Sequence, residues 1–196
     1  LRLKSQTNIS FVALRLCKFK RVPEERTICE SMNSFIEEKK LITMPNTYVK
    51  LYVQTVFAVK YRNALIKECF RKELFAVIGN LINETGCQTI IVNGVEDHVH
   101  CFFTLKTTLS LSEVMKSVKA KSSKWVNENQ FLEERFEWQR GFGGFSYNQS
   151  SIPNVYKYIE NQEIHHNQED FKNEYLKLLQ KFEVEYDENY WFEDLI

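Results

Sequence analysis

Two of the four histidines in this chain stand together, in Asp97-His98-Val99-His100-Cys101-Phe102-Phe103. On a β-strand the side chains alternate between faces, so His98 and His100 project from one side and Val99, Cys101 and Phe103 from the other. Two neighbouring imidazoles on an open sheet face make a bidentate clamp for a divalent cation, although a bare His-x-His is more often structural. A second feature is Tyr156-Lys157-Tyr158-Ile159-Glu160-Asn161-Gln162. Tyr158 and Gln162 are i and i+4, neighbours on one helical face; alone, the segment reads as a core stripe of Val155, Tyr158, Ile159 and Gln162. Together the two features supply what a metal-assisted phosphotyrosine reaction requires. A tyrosine hydroxyl, with a pKa of about 10, is a poor nucleophile at neutral pH. A cation held by two imidazoles and one amide oxygen would polarise a scissile phosphate and leave positions for substrate and water. The remaining histidines, His165 and His166, are adjacent, so they point about 100° apart on a helix. They are expected at a solvated helix C-terminus, where they suit the dipole.

The elements that must position these groups follow from hydrophobic period. Val49, Leu51, Val53, Phe57 and Val59 alternate with Lys50, Tyr52 and Gln54, which predicts a strand over residues 47–59 with one face on a core and one face open. Residues 65–84 read as a helix ended by Gly86. Residues 89–95 read as a short buried strand and 97–105 as the strand bearing the histidines, with Glu96 and Asp97 in the turn between them. Leu111, Val114, Met115, Val118, Ser122, Trp125 and Val126 mark an amphipathic helix started by Ser110 or Ser112. Residues 138–147, rich in glycine and aromatics, read as a strand or extended loop. Ser151 is expected to cap a helix running to about His165, and Phe171, Tyr175, Leu178, Leu179 and Phe182 define another. The order β-α-β-β-α-β followed by helices predicts an α+β, ferredoxin-like (RRM-like) antiparallel sheet, with helices on one face and the histidine site on the other.

The chain has 196 residues, 43% hydrophobic and 27% charged, with Lys and Arg balancing Asp and Glu at 26 each. That suits one domain with an appendage and excludes a disordered tail. No apolar run reaches the roughly 18 residues that a spanning helix needs, so no membrane role is expected. Bulk charge argues for no particular partner, but residues 167–196 carry nine acidic against three basic side chains. This acidic tail is expected to pack on the protein rather than on a polyanion. Five cysteines, Cys17, Cys29, Cys69, Cys87 and Cys101, contain no Cys-x-x-Cys pair, which argues against a disulfide framework or thiolate zinc knuckle and fits a reducing cytoplasm. Residues 1–43 show no sustained period. We read them as an N-terminal extension, upstream or poorly ordered, ahead of a single domain over 44–196 that opens at Met44. The alternative is a genuine extension with a short helix over 29–40.

Several motifs in order give the chain a specific resemblance from about Pro45 onward. They are Asn46-Thr-Tyr-Val-Lys-Leu-Tyr-Val-Gln-Thr-Val-Phe-Ala-Val, Asp97-His-Val-His, Trp138-Gln-Arg-Gly-Phe-Gly-Gly-Phe-Ser-Tyr147, Tyr158-Ile-Glu-Asn-Gln162 and Lys181-Phe-Glu-Val-Glu-Tyr-Asp-Glu-Asn-Tyr190. On these the chain resembles the HUH-type single-tyrosine transposases of minimal bacterial insertion sequences, the insertion-sequence-two-hundred-like group. Glu96 departs from the family, which often has Pro there, and Arg140 stands where relatives often carry an acidic residue. The resemblance implies that His98, His100 and Gln162 are metal ligands for Mg²⁺ or Mn²⁺ and that Tyr158 is the nucleophile. Tyr156 is the rival, but it lacks the i+4 relation to Gln162 and sits about 200° around the helix.

The implied reaction is transesterification on single-stranded DNA at element ends, through a 5′-phosphotyrosine link with a free 3′-hydroxyl. The resemblance also implies recognition of hairpin ends and a homodimer. Lys116, Lys119, Lys121, Lys124 and Arg140 are the candidate phosphate contacts, with Phe142, Phe145 or Tyr147 stacking on bases. Residue by residue, the plainer reading is that these lysines solvate a helix and these aromatics are core. Two other readings make different predictions: a domesticated or inactive hairpin-binding protein forms no covalent adduct, and a water-using phosphoesterase survives loss of Tyr158.

Overall fold

A computed structural model of the chain describes residues 48–166 and 170–186. The extension expected over residues 1–43 and the tail beyond 186 lie outside the described residues. Strand β1 (Leu51–Ala58) is followed by a 3-10 turn and helix α1 (Glu68–Glu84), then β2 (Gln88–Gly94), β3 (His98–Leu105) and α2 (Leu111–Glu128). After a long loop come β4 (Gly143–Tyr147), α3 (Ile152–Glu160), α4 (Gln162–His166) and α5 (Phe171–Lys181). The four strands form one sheet in the order β2-β3-β1-β4, every neighbour antiparallel. This is the ferredoxin-like α+β plan expected from the order of elements.

Local chemistry explains the boundaries. Helix α1 ends at Gly86, whose φ of 87° suits a residue without a Cβ. Ser110 starts α2: its hydroxyl accepts from the Glu113 N–H while the Glu113 carboxylate accepts from the Ser110 N–H. Ser151 does not cap α3 with its side chain. Asn148 does that work one turn earlier, its Oδ1 accepting from the Ser151 N–H at 3.0 Å. The helix expected to run to His165 is interrupted at Asn161, where ψ swings to 21°. Asp170 caps α5 by accepting from the Asn173 N–H at 2.8 Å.

The sheet is covered on both faces. Helices α1 and α2 pack on Phe57, Val99, Cys101 and Phe103. The opposite face, which the alternation in β1 left open, meets α3 through Tyr52 and Phe102 and α5 through Val56, Ala58 and Phe145. Gln54 and Tyr52, read as the solvent-facing set, are buried. Burying a large apolar side chain stabilises by roughly 1.5–3 kcal/mol, so a face carrying Tyr52, Phe102 and Phe145 favours a cover. Closure between β2 and β3 depends on Gly94, where a Cβ would stand 2.2 Å from the His98 carbonyl oxygen. The turn through Glu96 is fixed by main chain: the Ile66 N–H donates to the Glu96 carbonyl at 2.9 Å and the Val59 N–H to that of Asp97 at 2.7 Å. Among the described residues no helix is long and apolar enough to cross a membrane.

Candidate metal and tyrosine site

His98 and His100 lie on β3 opposite Ala58 and Val56 of β1, small residues that leave room for the rings. Both are fully buried, not displayed on an open face. Each ring has a partner at Nδ1. The Asp97 carboxylate lies 2.7 Å from His98 Nδ1, and the Gln54 carboxamide lies 2.9 Å from His100 Nδ1. The far end of that carboxamide accepts from the Tyr147 hydroxyl at 2.8 Å. His98 also stacks on Phe171 of α5, with ring centroids 4.1 Å apart. Both Nε2 atoms therefore point the same way, and both are buried without a hydrogen-bond partner.

Helices α3, α4 and α5 bring four more groups to that spot. Asn93 of β2 donates to the Ile159 and Glu160 carbonyls at 2.9 and 3.0 Å and so fastens the end of α3 over the sheet. Tyr158 and Gln162 both reach Glu174 of α5, a residue the sequence reading did not single out. The Tyr158 hydroxyl donates to Glu174 Oε1, and Gln162 Nε2 donates to the same oxygen at 2.9 Å. Gln162 Oε1 is buried and unpartnered. His166 Nε2 lies 2.8 Å from Glu174 Oε2, and its ring meets the edge of His98. His166 thus belongs to the site, contrary to the solvated helix end expected for it; the side chain of His165 lies outside the described residues. Tyr156 stands exposed.

Glu174 is 2% exposed. Its Oε2 lies 3.5 Å from His98 Nε2 and its Oε1 lies 3.5 Å from His100 Nε2. Burial acts to raise its pKa, but the neighbouring imidazoles of His100 and His98 and the hydrogen-bonded His166 outweigh it and hold the carboxyl well below the usual range. Burial pushes the Tyr158 hydroxyl far above its ordinary value, and the Glu174 carboxylate pushes it further. His100 is held down by burial, whereas for His98 the Asp97 and Glu174 carboxylates overcome burial and raise it. The site is thus a dry cluster of imidazoles around one carboxylate, with a protonated phenol beside it. Ligand atoms of His98, His100 and Glu174 lie within 4.8 Å of one another, close enough to share one cation.

The proposed phosphate contacts divide. Lys119 donates to the Gln139 and Gly141 carbonyls and lies 5.7 Å over the Phe57 ring, and burial pushes it down to about 8. It pins the loop before β4. Lys121 and Lys124 lie 3.2 Å from Glu84 and 3.5 Å from Glu128, both exposed pairs. Lys116 and Arg140 are exposed and line a cleft of about 1280 Å³ beside Trp138 and Phe142, on the α2 side of the sheet. Of the aromatics proposed for stacking, Phe145 is core at 2% exposed, Tyr147 packs against Phe102 and Phe182, and Phe142 is half-buried.

Fold and site together define a ferredoxin-like protein whose sheet presents a buried histidine pair to a helical tyrosine and glutamine. The chain belongs to the IS200-like transposase family, whose profile matches residues 47–162. Among solved structures it is similar to a proposed transposase from Deinococcus radiodurans R1, at 17% identity and a TM-score of 0.50, over 60% of this chain and 95% of that one. It is also similar to a REP-associated tyrosine transposase bound to a REP hairpin, at 16% identity and a TM-score of 0.48, over 62% of this chain and 72% of that one. No curated protein matches the chain.

Proposed function

We propose that this member of the transposase family cuts and rejoins single-stranded DNA through Tyr158. Its hydroxyl oxygen attacks a phosphate, a 5′-phosphotyrosyl bond forms, the bond to the 3′-oxygen breaks, and the tyrosine proton ends on the released 3′-hydroxyl. The bond energy stays in the link, so rejoining needs no nucleotide. The observation that carries the reading is that His98 Nε2, His100 Nε2 and Gln162 Oε1, the three ligand atoms expected, are buried and unpartnered beside the Tyr158 hydroxyl. Orphaned buried polar atoms are costly unless something occupies the space between them. A Mg²⁺ or Mn²⁺ ion bound there would neutralise charge on the scissile phosphate.

The protein's own groups prepare that site. Asp97 and Gln54 hold the imidazoles by Nδ1, the usual support of a ligating histidine. Ligation by His100 Nε2 puts its proton on Nδ1, so the Gln54 carboxamide turns its oxygen to the ring, and the Tyr147 hydroxyl can serve either end of the amide. Glu174 holds the Tyr158 hydroxyl in place. The substrate is single-stranded DNA with hairpin ends, its phosphates met by Lys116 and Arg140, and the working unit is a homodimer; family membership supports both.

The test uses labelled single-stranded oligonucleotides from DNA flanking the gene, with Mg²⁺ or Mn²⁺, read on a denaturing gel. A shifted band is expected with the unaltered protein, and none with Tyr158→Phe, His98→Ala or excess chelator. Binding on a native gel with no adduct from any flank would favour the hairpin-binding protein. Cleavage that persists in Tyr158→Phe would favour the water-using phosphoesterase.

A further inference from the structure

Glu174 has no place in the ligand set derived from the histidine, glutamine and tyrosine motifs, yet it lies at the centre of the cluster. Its two oxygens face the two orphaned imidazole nitrogens, one each, at 3.5 Å. That spacing is too long for a good hydrogen bond. It suits neighbouring ligands of one cation, which stand about 3 Å apart when each is roughly 2.1 Å from the ion. The carboxamide of Gln162 is oriented to match, its nitrogen spent on Glu174 and its oxygen left free.

Resting on the metal reading above, we infer that Glu174 is the anionic ligand of the cation, completing a set of His98, His100, Gln162 and Glu174. The chemistry of the site asks for such a group. Mg²⁺ and Mn²⁺ prefer carboxylate and carbonyl oxygen over imidazole nitrogen, and two neutral rings and an amide would leave a double charge uncompensated in a dry pocket. The carboxylate in turn is 2% exposed, and a buried carboxylate is retained when it is paired or coordinates a metal. Through its contacts to Tyr158 and His166, Glu174 also ties the nucleophile's helix and the C-terminal helix to the same ion. Residues beyond the family-matched segment, which ends at 162, thereby become part of the metal site.

Equilibrium Mn²⁺ binding to the full chain, followed by the loss of the free-ion electron paramagnetic signal, tests this without any DNA. Wild type is expected to bind, His98→Ala to lose binding, and Glu174→Gln, which keeps the shape and removes the charge, to bind roughly tenfold or more weakly. Wild-type affinity in a folded Glu174→Gln protein overturns the inference while leaving the histidine site intact. No Mn²⁺ or Mg²⁺ binding by wild type overturns the underlying reading as well. If Glu174→Gln does not fold, Glu174→Cys decides. A ligand position converts to a thiolate that binds Cd²⁺ with a sulfur charge-transfer band added to whatever the chain's own cysteines give in wild type, and no added band overturns the inference.

Discussion

His98 and His100 are aimed by what holds their Nδ1 atoms, so their value to a cation lies as much in Asp97 and Gln54 as in the rings. Asp97→Asn and Gln54→Leu are each expected to weaken Mn²⁺ binding about tenfold or more by titration, with the fold kept. Lys119 and Lys116 should separate cleanly. Lys119→Ala leaves two loop carbonyls without their donor and is expected to cost about 1–3 kcal/mol in chemical denaturation. Lys116→Ala, exposed and lining the cleft, should change stability by less than about 0.5 kcal/mol and instead weaken DNA binding, with a shallower salt dependence. At this scale the sequence was most legible where chemistry is local. The two-residue period of a strand puts His98 and His100 side by side, and the i+4 relation brings Tyr158 and Gln162 to one group. Glu174 was not legible in that way, because it reaches the site from a separate helix. Its signal was its place within the stripe of Phe171, Tyr175, Leu178 and Leu179, where an acidic residue at a core position calls for a partner.

The order of strands and helices was readable because each has a clear period and a chemical stop, such as Ser110 with Glu113 or the positive φ of Gly86. The cover over the histidine face was harder to read. Tyr52 and Gln54 look like the wet side of an amphipathic strand, and only α3 and α5 folding back make them interior. The break at Asn161 was likewise hidden, since a helix through Tyr158 and Gln162 already satisfied the spacing. What keeps α3 in register on the sheet is Asn93, which serves two carbonyls at its C-terminal end. Asn93→Leu is expected to lower stability by about 1–2 kcal/mol. It should also reduce adduct formation more than the stability loss explains, measured as initial rate well below the unfolding temperature.

For the molecule as a whole, a cation bridging β3 and the C-terminal helices would join two parts of the structure that are far apart in sequence. Mn²⁺ at about a hundred times its dissociation constant should therefore stabilise the folded chain by about 2.7 kcal/mol. That corresponds to roughly 5–10 °C in a domain of this size, with chelator reversing it and His98→Ala abolishing it. Residues 1–43 should not contribute. Protein starting at Met44 is expected to melt within about 1 °C of the full chain, the shift of a small fraction of a kcal/mol, and to bind Mn²⁺ equally; a larger drop would make the extension part of the fold. The most direct test of the account is to locate the covalent link. Adduct formed on a flanking oligonucleotide is trimmed by nuclease and cut with trypsin, which cleaves after Lys157 and so separates Tyr156 from Tyr158. A nucleotide mass is expected on the peptide beginning at Tyr158, with fragment ions placing it on that residue and none formed without divalent metal. The same mass on Tyr156, or on any other residue than Tyr158, would contradict it.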